Sequence, residues 1–237
     1  MQNKTMKDFI SIVDENYEVY FSIGDKNYSK STMSGRANIK SLEDIFSMDS
    51  IKYISQVHSD KIIKLINIEE DTSKLEADAI ITSLKNTGIG VFYADCVPVI
   101  LYDKSTGIIA AVHSGWRGTY EEIVKKTVLS MGNEYNCKIS NIKVIIGPHI
   151  HDCCYEVSEE LKKQFTTNDS FKGVNLFKGR NLSLKKAIIK GLNDLGIEDE
   201  NIFTLDYCTC CEKDIKLHSY RRDGINSGRC YGFIVKK

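Results

Sequence analysis

Proline is almost missing from this chain, which has only Pro98 and Pro148 among its 237 residues, and tryptophan occurs once, at Trp116. No proline-, glycine- or serine-rich linker interrupts the sequence, so residues 1–237 read as one domain. An excess of one charge is also missing: Lys plus Arg and Asp plus Glu each number 32, and the pI is near 6.9. Without a net field there is no general attraction to nucleic acid or to an anionic membrane, and small molecules become the expected partners. Oligomeric state is left open. No apolar run approaches the roughly 18 residues that span a bilayer, and the N-terminus MQNKTMKDFI lacks the basic-then-apolar order of a secretion signal. A cytoplasmic location is the expectation. Histidine is scarce too, with five residues in all.

Cysteine, by contrast, is plentiful, at positions 96, 137, 153, 154, 208, 210, 211 and 230. In a chain of this size without a secretion signal, reduced thiols or metal ligands are expected rather than disulfides. Cys208 and Cys211 have the C-x-x-C spacing of a zinc knuckle, and Cys153–Cys154 could complete four ligands. Adjacent cysteines rarely ligate one tetrahedral ion together, so the leading expectation is that these residues serve as small buried hydrophobes.

The longest apolar passage, Val91 to Thr119, carries a cysteine, two aspartates, a histidine, the tryptophan and an arginine. β-Branched residues dominate Val97–Leu101 and Ile108–Val112 around a turn-like Asp103–Gly107, which predicts a β-hairpin. A four-residue loop over Asp103–Thr106 would set Tyr102 against Gly107 and Cys96 directly opposite His113, close enough to share an ion. A five-residue loop would send the two to opposite faces.

Elsewhere, strands are expected near residues 18–23, over Ile51–Val57, Ala77–Thr82, Ile142–Ile146, Ile202–Leu205 and at Phe233–Val235. A short helix is expected over 35–48. Thr119 with Glu122 forms an S/T-x-x-E box predicting a helix from Tyr120 to Met131, ended by Gly132. Ser158 should cap a helix to about Phe165, and Leu182–Leu195 should form another, stopped by Gly196. Strands and helices alternate irregularly, without the rhythm or glycine fingerprint of a dinucleotide fold. The expected class is α+β.

The residues that carry chemistry are His58, at a corner between apolar runs, Cys96 and His113, spaced by 38 and 17 positions. Two imidazoles and a thiolate suit Zn²⁺ and leave a fourth tetrahedral position open, the pattern of a catalytic rather than a structural site. Three other readings use the same residues. Cys96 and His113 could be satisfied core residues. Cys96 could be a nucleophile with His113 as its base and Asp95 or Asp60 orienting the imidazole. His₂Cys is also a blue-copper set, although five histidines cannot furnish a trinuclear copper cluster as well. Around this centre, Arg117 at a helix N-terminus and Arg221 in a second basic turn with Arg222 are candidates for binding phosphate or carboxylate; solvated surface charge is the plain alternative. Trp116, Tyr93, Tyr155 and Tyr220 could stack a base or simply pack.

Six ordered motifs go further: Gln56-Val57-His58, Ala94-Asp95-Cys96-Val97-Pro98-Val99, Ala111-Val112-His113-Ser114-Gly115-Trp116-Arg117-Gly118, Ile146-Gly147-Pro148, Tyr155-Glu156-Val157 and Ser219-Tyr220-Arg221-Arg222-Asp223-Gly224. Together they resemble the laccase-domain family, also known as multicopper polyphenol oxidoreductase-like, YfiH-type or peptidoglycan editing factor proteins. The resemblance implies an αββα-layered domain and one zinc held by His58, Cys96 and His113. It also implies phosphorolysis of purine nucleosides such as adenosine, inosine or 5′-methylthioadenosine, with adenosine deamination as a second activity. The substrates would be nucleoside and inorganic phosphate. For some members the implied task is instead removal of a wrong amino acid from a cell-wall precursor. Residues 1–55 match the family only loosely. His149-Ile150-His151 and Leu217-His218 depart from its pattern and are expected to crowd the pocket rim. His149, His151 and Asp95 are candidates for the general acid of phosphorolysis.

Overall fold

The computed structural model describes residues 3–237. In chain order the strands are β1 (Asn3–Thr5), β2 (Phe9–Asp14), β3 (Tyr17–Ser22), β4 (Ser50–Lys52), β5 (Ile62–Leu65), β6 (Ala79–Thr82), β7 (Thr87–Tyr93), β8 (Val97–Asp103), β9 (Ile108–Ser114), β10 (Lys143–Ile146), β11 (Phe177–Lys178), β12 (Asn181–Leu182), β13 (Ile202–Thr204) and β14 (Cys230–Lys236). The α-helices are α1 (Met33–Ile45), α2 (Trp116–Tyr120), α3 (Ile123–Tyr135), α4 (Glu159–Thr167), α5 (Leu184–Asn193) and α6 (Tyr220–Asp223). One six-stranded sheet has the order β1-β2-β3-β14-β7-β4 and the other β13-β10-β8-β9-β6-β5. Both are mixed, because β4 runs parallel to β7, β5 to β6 and β10 to β13 while the remaining pairs are antiparallel.

Strand side chains alternate between faces, so each sheet feeds two cores. Between the sheets, Ile10, Val19, Phe21 and Val91 meet Ile80, Ile100, Tyr102 and Ile109. The outer face of the first sheet, with Tyr20, Phe92 and Phe233, is covered by Ile39 and Leu42 of α1. The outer face of the second, with Val97, Val99 and Val112, lies under Ile123 and Val128 of α3 and Ile188 and Leu192 of α5. The layers are therefore α, β, β and α, the expected α+β class. Every residue of β8 and β9 is buried. Burial on both faces is why this hairpin reads as a continuous apolar run instead of an alternating one.

Three local expectations need correction. Asp103 pairs with Ile108, so the hairpin loop is 104–107, one residue later than anticipated. Asp103 is held in the strand because its carboxylate accepts from Ser105 N and Oγ at 2.9 and 2.7 Å, and Gly107 takes the left-handed φ of +74° that closes the turn. His113 therefore faces Pro98, and Cys96 lies two residues along the same strand face. A shift of two preserves the face, so the convergence survives. Second, the helix begins at Trp116 with Gly115 as its N-cap, and breaks at Glu122, whose φ is +58°. The Thr119 hydroxyl bonds Ser114 Oγ at 2.8 Å and caps nothing. Gly132 lies inside α3, which runs to Tyr135 and ends at a left-handed Asn136. Third, the expected strand over Ile51–Val57 stops at Lys52. Beyond it the Gln56 side chain replaces sheet pairing, donating to Phe92 O at 2.8 Å while its oxygen accepts from Phe92 N at 2.7 Å. Ser158 caps α4, accepting from Leu161 N as its sequence suggests, whereas α5 starts at Leu184, two residues later than expected, with Ser183 as its cap accepting from Lys186 N.

Candidate metal centre and its cavity

His113 lies near the end of β9, Cys96 immediately before β8, and His58 in the loop between β4 and β5. Asp78 organises them. Its carboxylate is fully buried and accepts from His58 N at 3.0 Å, Val57 N at 3.2 Å, Ser59 N at 2.6 Å and Ser59 Oγ at 2.8 Å. These bonds hold the 57–59 corner, where His58 adopts a left-handed φ of +59°. On its other side the same carboxylate accepts from His113 Nδ1 at 2.8 Å. That bond fixes the imidazole tautomer and leaves Nε2 as the nitrogen able to ligate.

Cys96 arrives from the opposite direction. Asp95 before it has φ +101°, a costly conformation for a non-glycine residue. It is over-determined by its partners: Thr209 Oγ1 and Ser219 Oγ donate to Oδ1 at 2.7 Å each, Arg221 N donates to Oδ2 at 2.6 Å, and Ile150 N donates to the Asp95 carbonyl at 2.9 Å. Strain of this kind, held by four partners, aims the following side chain. Cys96 Sγ lies 3.8 Å from His58 Nε2, and the ligand atoms of His58, Cys96 and His113 are all within 4.8 Å of one another. Gly115 packs against them so closely that a Cβ there would stand 2.9 Å from His58 Cδ2 and 3.0 Å from Cys96 Sγ.

The electrostatics suit a cation. Burial opposes ionisation of the Cys96 thiol, but the charge and hydrogen bond of His113 and the bond from His58 outweigh it and bring the thiol down to about 6. Burial likewise opposes protonation of His113, yet the Cys96 thiolate and Asp78 raise it to about 9. A thiolate and an imidazolium thus stabilise each other here, and a divalent ion can take the place of the proton they share. The donor set, two imidazoles and one thiolate in reach of one point, fits a borderline-soft metal with one position unfilled by protein.

A cavity of 510 Å³ opens onto this trio, lined among others by Phe92, Asp95, Tyr155, Tyr220, Arg221 and Arg229. Arg221, named from sequence, is in it: two of its guanidinium nitrogens donate to Glu156 O at 3.0 and 3.1 Å, and the group lies 5.3 Å from the Tyr155 ring centre. Arg117 is not among the lining residues. It is exposed on α2 with its guanidinium 4.3 Å from the Trp116 ring centre, and its charge is felt at the Tyr155 phenol. Arg222 is a structural clamp on the carbonyls of Thr209 and Leu217. Of the 149–151 triplet only Ile150 reaches the cavity; His149 and His151 do not line it, and neither do Leu217 and His218. His149 is bonded to Gly147 O at 2.8 Å and held neutral by burial, and Asp95 has its carboxylate fully committed, so these two proposed acids have other duties, while the third, His151, lies outside the cavity lining.

Sequence reasoning missed Asp78 and assigned the imidazole-orienting role to Asp95 or Asp60. Asp60 instead pairs with Lys126. The signal was available: a carboxylate between alanines at the start of an apolar strand must be paired if buried.

Known proteins share this sequence pattern and fold. The family model described as Multi-copper polyphenol oxidoreductase laccase matches residues 20–237. A purine nucleoside phosphorylase of Clostridium acetobutylicum is 43% identical over 231 residues, covering 97% of this chain and 96% of that protein. An adenosine deaminase, RL5, from an unknown prokaryote is 34% identical over 202 residues, covering 80% and 76%. The crystal structure of the YfiH protein of Bacillus licheniformis superposes with a TM-score of 0.87 at 25% identity, covering 98% of this chain and 97% of that one.

Proposed function

Because the chain belongs to the multi-copper polyphenol oxidoreductase laccase family, we propose that it is a zinc-dependent purine nucleoside phosphorylase of the cytoplasm with adenosine deamination as a second activity. The observation that carries this reading is the convergence of His58, Cys96 and His113 at the wall of a cavity large enough for a nucleoside. The names of the relatives above supply the substrate class. Copper oxidation has less support, because beyond His58 and His113 only three histidines remain, and two of them bond the carbonyls of Gly147 and Lys26. Among the described residues no helix is long and apolar enough to cross a membrane.

When bound, zinc at His58, Cys96 and His113 supplies Lewis-acid chemistry, stabilising negative charge that develops on a substrate. The chain's own residues do the rest. Asp78 keeps the His113 proton on Nδ1 and so keeps Nε2 available. Lys30, Arg221 and Arg229 give the cavity its positive charge, and Arg221 has guanidinium N–H groups beyond the two that face Glu156 O, suited to a phosphate. Arg117, outside the lining but with its charge felt at Tyr155, adds to the attraction of anions. Tyr220 is 53% exposed although aromatic, and offers a ring face to a purine. Burial pushes the Tyr155 phenol up to about 12, so that side chain stays neutral at physiological pH.

The test is release of free purine from adenosine and inosine with and without inorganic phosphate, run on wild type and on His58→Ala and Cys96→Ala. Phosphate-dependent release, lost in both variants and after chelation, is expected. Release that persists in the metal-stripped protein would refute the reading.

A further inference from the structure

A second group of thiols lies outside the cavity and takes no part in the chemistry above. Cys153 and Cys154 sit on a tight turn in which Cys154 N donates to His151 O at 3.0 Å. Cys208 and Cys211 come from a second turn, more than fifty residues further along the chain. All four Sγ atoms lie within 4.8 Å of one another, and Cys153 Sγ is 3.6 Å from both Cys208 Sγ and Cys211 Sγ. Four sulfurs around one zinc at a bond length of about 2.3 Å stand roughly 3.8 Å apart, whereas a disulfide needs about 2.05 Å. All eight cysteines are free thiols in this structure.

The hydrophobe reading does not account for this cluster. Cys137 and Cys230 are buried as that reading expects, but Cys153 and Cys211 are exposed. Apolar burial therefore gives these two no reason to meet. The objection that adjacent cysteines rarely share an ion is answered by the 151–154 turn, which brings both side chains to one side. One backbone donor also faces the cluster, His151 N donating to Cys208 Sγ at 3.5 Å.

We propose that Cys153, Cys154, Cys208 and Cys211 form a second, four-thiolate zinc site that clips the loop lining the cavity with Ile150 and Tyr155 to the loop whose Thr209 braces Asp95. Four protein ligands close the coordination sphere, which makes the site structural and not catalytic. Uptake of the ion releases the protons of the ligating thiols to solvent. The clip has a defined object. One loop carries Ile150 and Tyr155 into the cavity, and the other carries Thr209, whose hydroxyl bonds Asp95 beside Cys96. Between the loops the backbone alone supplies two bonds, His149 N to Tyr207 O at 3.2 Å and Thr209 N to His149 O at 3.0 Å.

Elemental analysis of protein purified under reducing conditions tests the site. Wild type should carry two zinc ions per chain, the Cys208→Ser/Cys211→Ser variant one, and His58→Ala/Cys96→Ala also one. The last of these retains its zinc whatever reaction the cavity performs, so the assignment is independent of the activity proposed above. If the cysteine variant does not fold, metal-free His58→Ala/Cys96→Ala protein titrated with Cd²⁺ gives the answer. Ultraviolet thiolate-to-cadmium absorption of four-thiolate intensity should saturate at one equivalent. Absence of zinc from the His58→Ala/Cys96→Ala variant, absorption no greater than that of a single thiolate, or a Cys153–Cys208 disulfide under reducing conditions would overturn the proposal.

Discussion

Asp78→Asn isolates the residue that orders the candidate metal centre. The carboxylate accepts five bonds, two at Oδ1 from His58 N and His113 Nδ1 and three at Oδ2 from Val57 N, Ser59 N and Ser59 Oγ. An amide keeps the shape but has one oxygen, so its NH₂ must face donors whichever way it turns. With NH₂ at the Oδ1 position, His58 N loses its partner and His113 must accept at Nδ1, which puts its proton on the nitrogen that should ligate. With NH₂ at the Oδ2 position, Val57 N and Ser59 N are stranded. A fully buried donor left unmade costs about 1–3 kcal/mol; these N–H groups are only part-buried, so losing one or two of them costs about 1–3 kcal/mol of stability in all. Loss of the carboxylate behind a ligating histidine weakens metal binding roughly 10–100-fold. Urea unfolding of the metal-free protein and zinc competition against a chromophoric chelator measure the two effects separately. An Asp78→Asn protein that unfolds within about 0.5 kcal/mol of wild type and holds zinc equally well would show that the network is not what orders the site.

Gly115→Ala places a methyl group 2.9 Å from His58 Cδ2 and 3.0 Å from Cys96 Sγ. Ligand positions tolerate only about 0.2 Å, so zinc retention on dialysis should fall sharply while overpacking costs about 1–3 kcal/mol in thermal unfolding; unchanged zinc content would contradict the close packing. Arg221→Ala should raise KM for phosphate about tenfold or more with little change in KM for nucleoside, as expected for loss of a charged contact, and an equal rise in both would argue for general loosening of the wall. His149 is pushed down to about 3 from an ordinary 6.5, by burial first and by the charge of His151 second. Its folded-state value lies below its unfolded one, so the unfolded chain binds the extra proton. Stability is then full above pH 6.5 and is lost as pH falls towards 3, by on the order of 5 kcal/mol over the whole range. His149→Asn should flatten that part of the stability profile relative to wild type; parallel profiles would assign the acid sensitivity elsewhere.

Local signals in the sequence determined a good deal. Ser158 and Ser183 cap their helices because a hydroxyl before an amphipathic run satisfies a free N–H wherever the helix packs. The strands of the central hairpin, its shared face and the grouping of His58, Cys96 and His113 as candidate ligands were legible from residue type and order. Tertiary structure alone decided what depends on segments distant in the chain. The hairpin register turned on Gly107 and on the Asp103 carboxylate, and the helix start shifted because Thr119 found Ser114 as a partner. Asp78 became the hub only when β6 and β9 placed it between His58 and His113. Arg117 turned onto Trp116 and Arg221 into the cavity, although sequence offered both equally. Two cysteine pairs with no local reason to meet were joined by the packing of the 147–157 and 205–222 loops. Periodicity and capping act over a few residues and survive in the sequence, whereas a site built from loop ends exists only after two sheets have stacked and fixed how those ends approach one another.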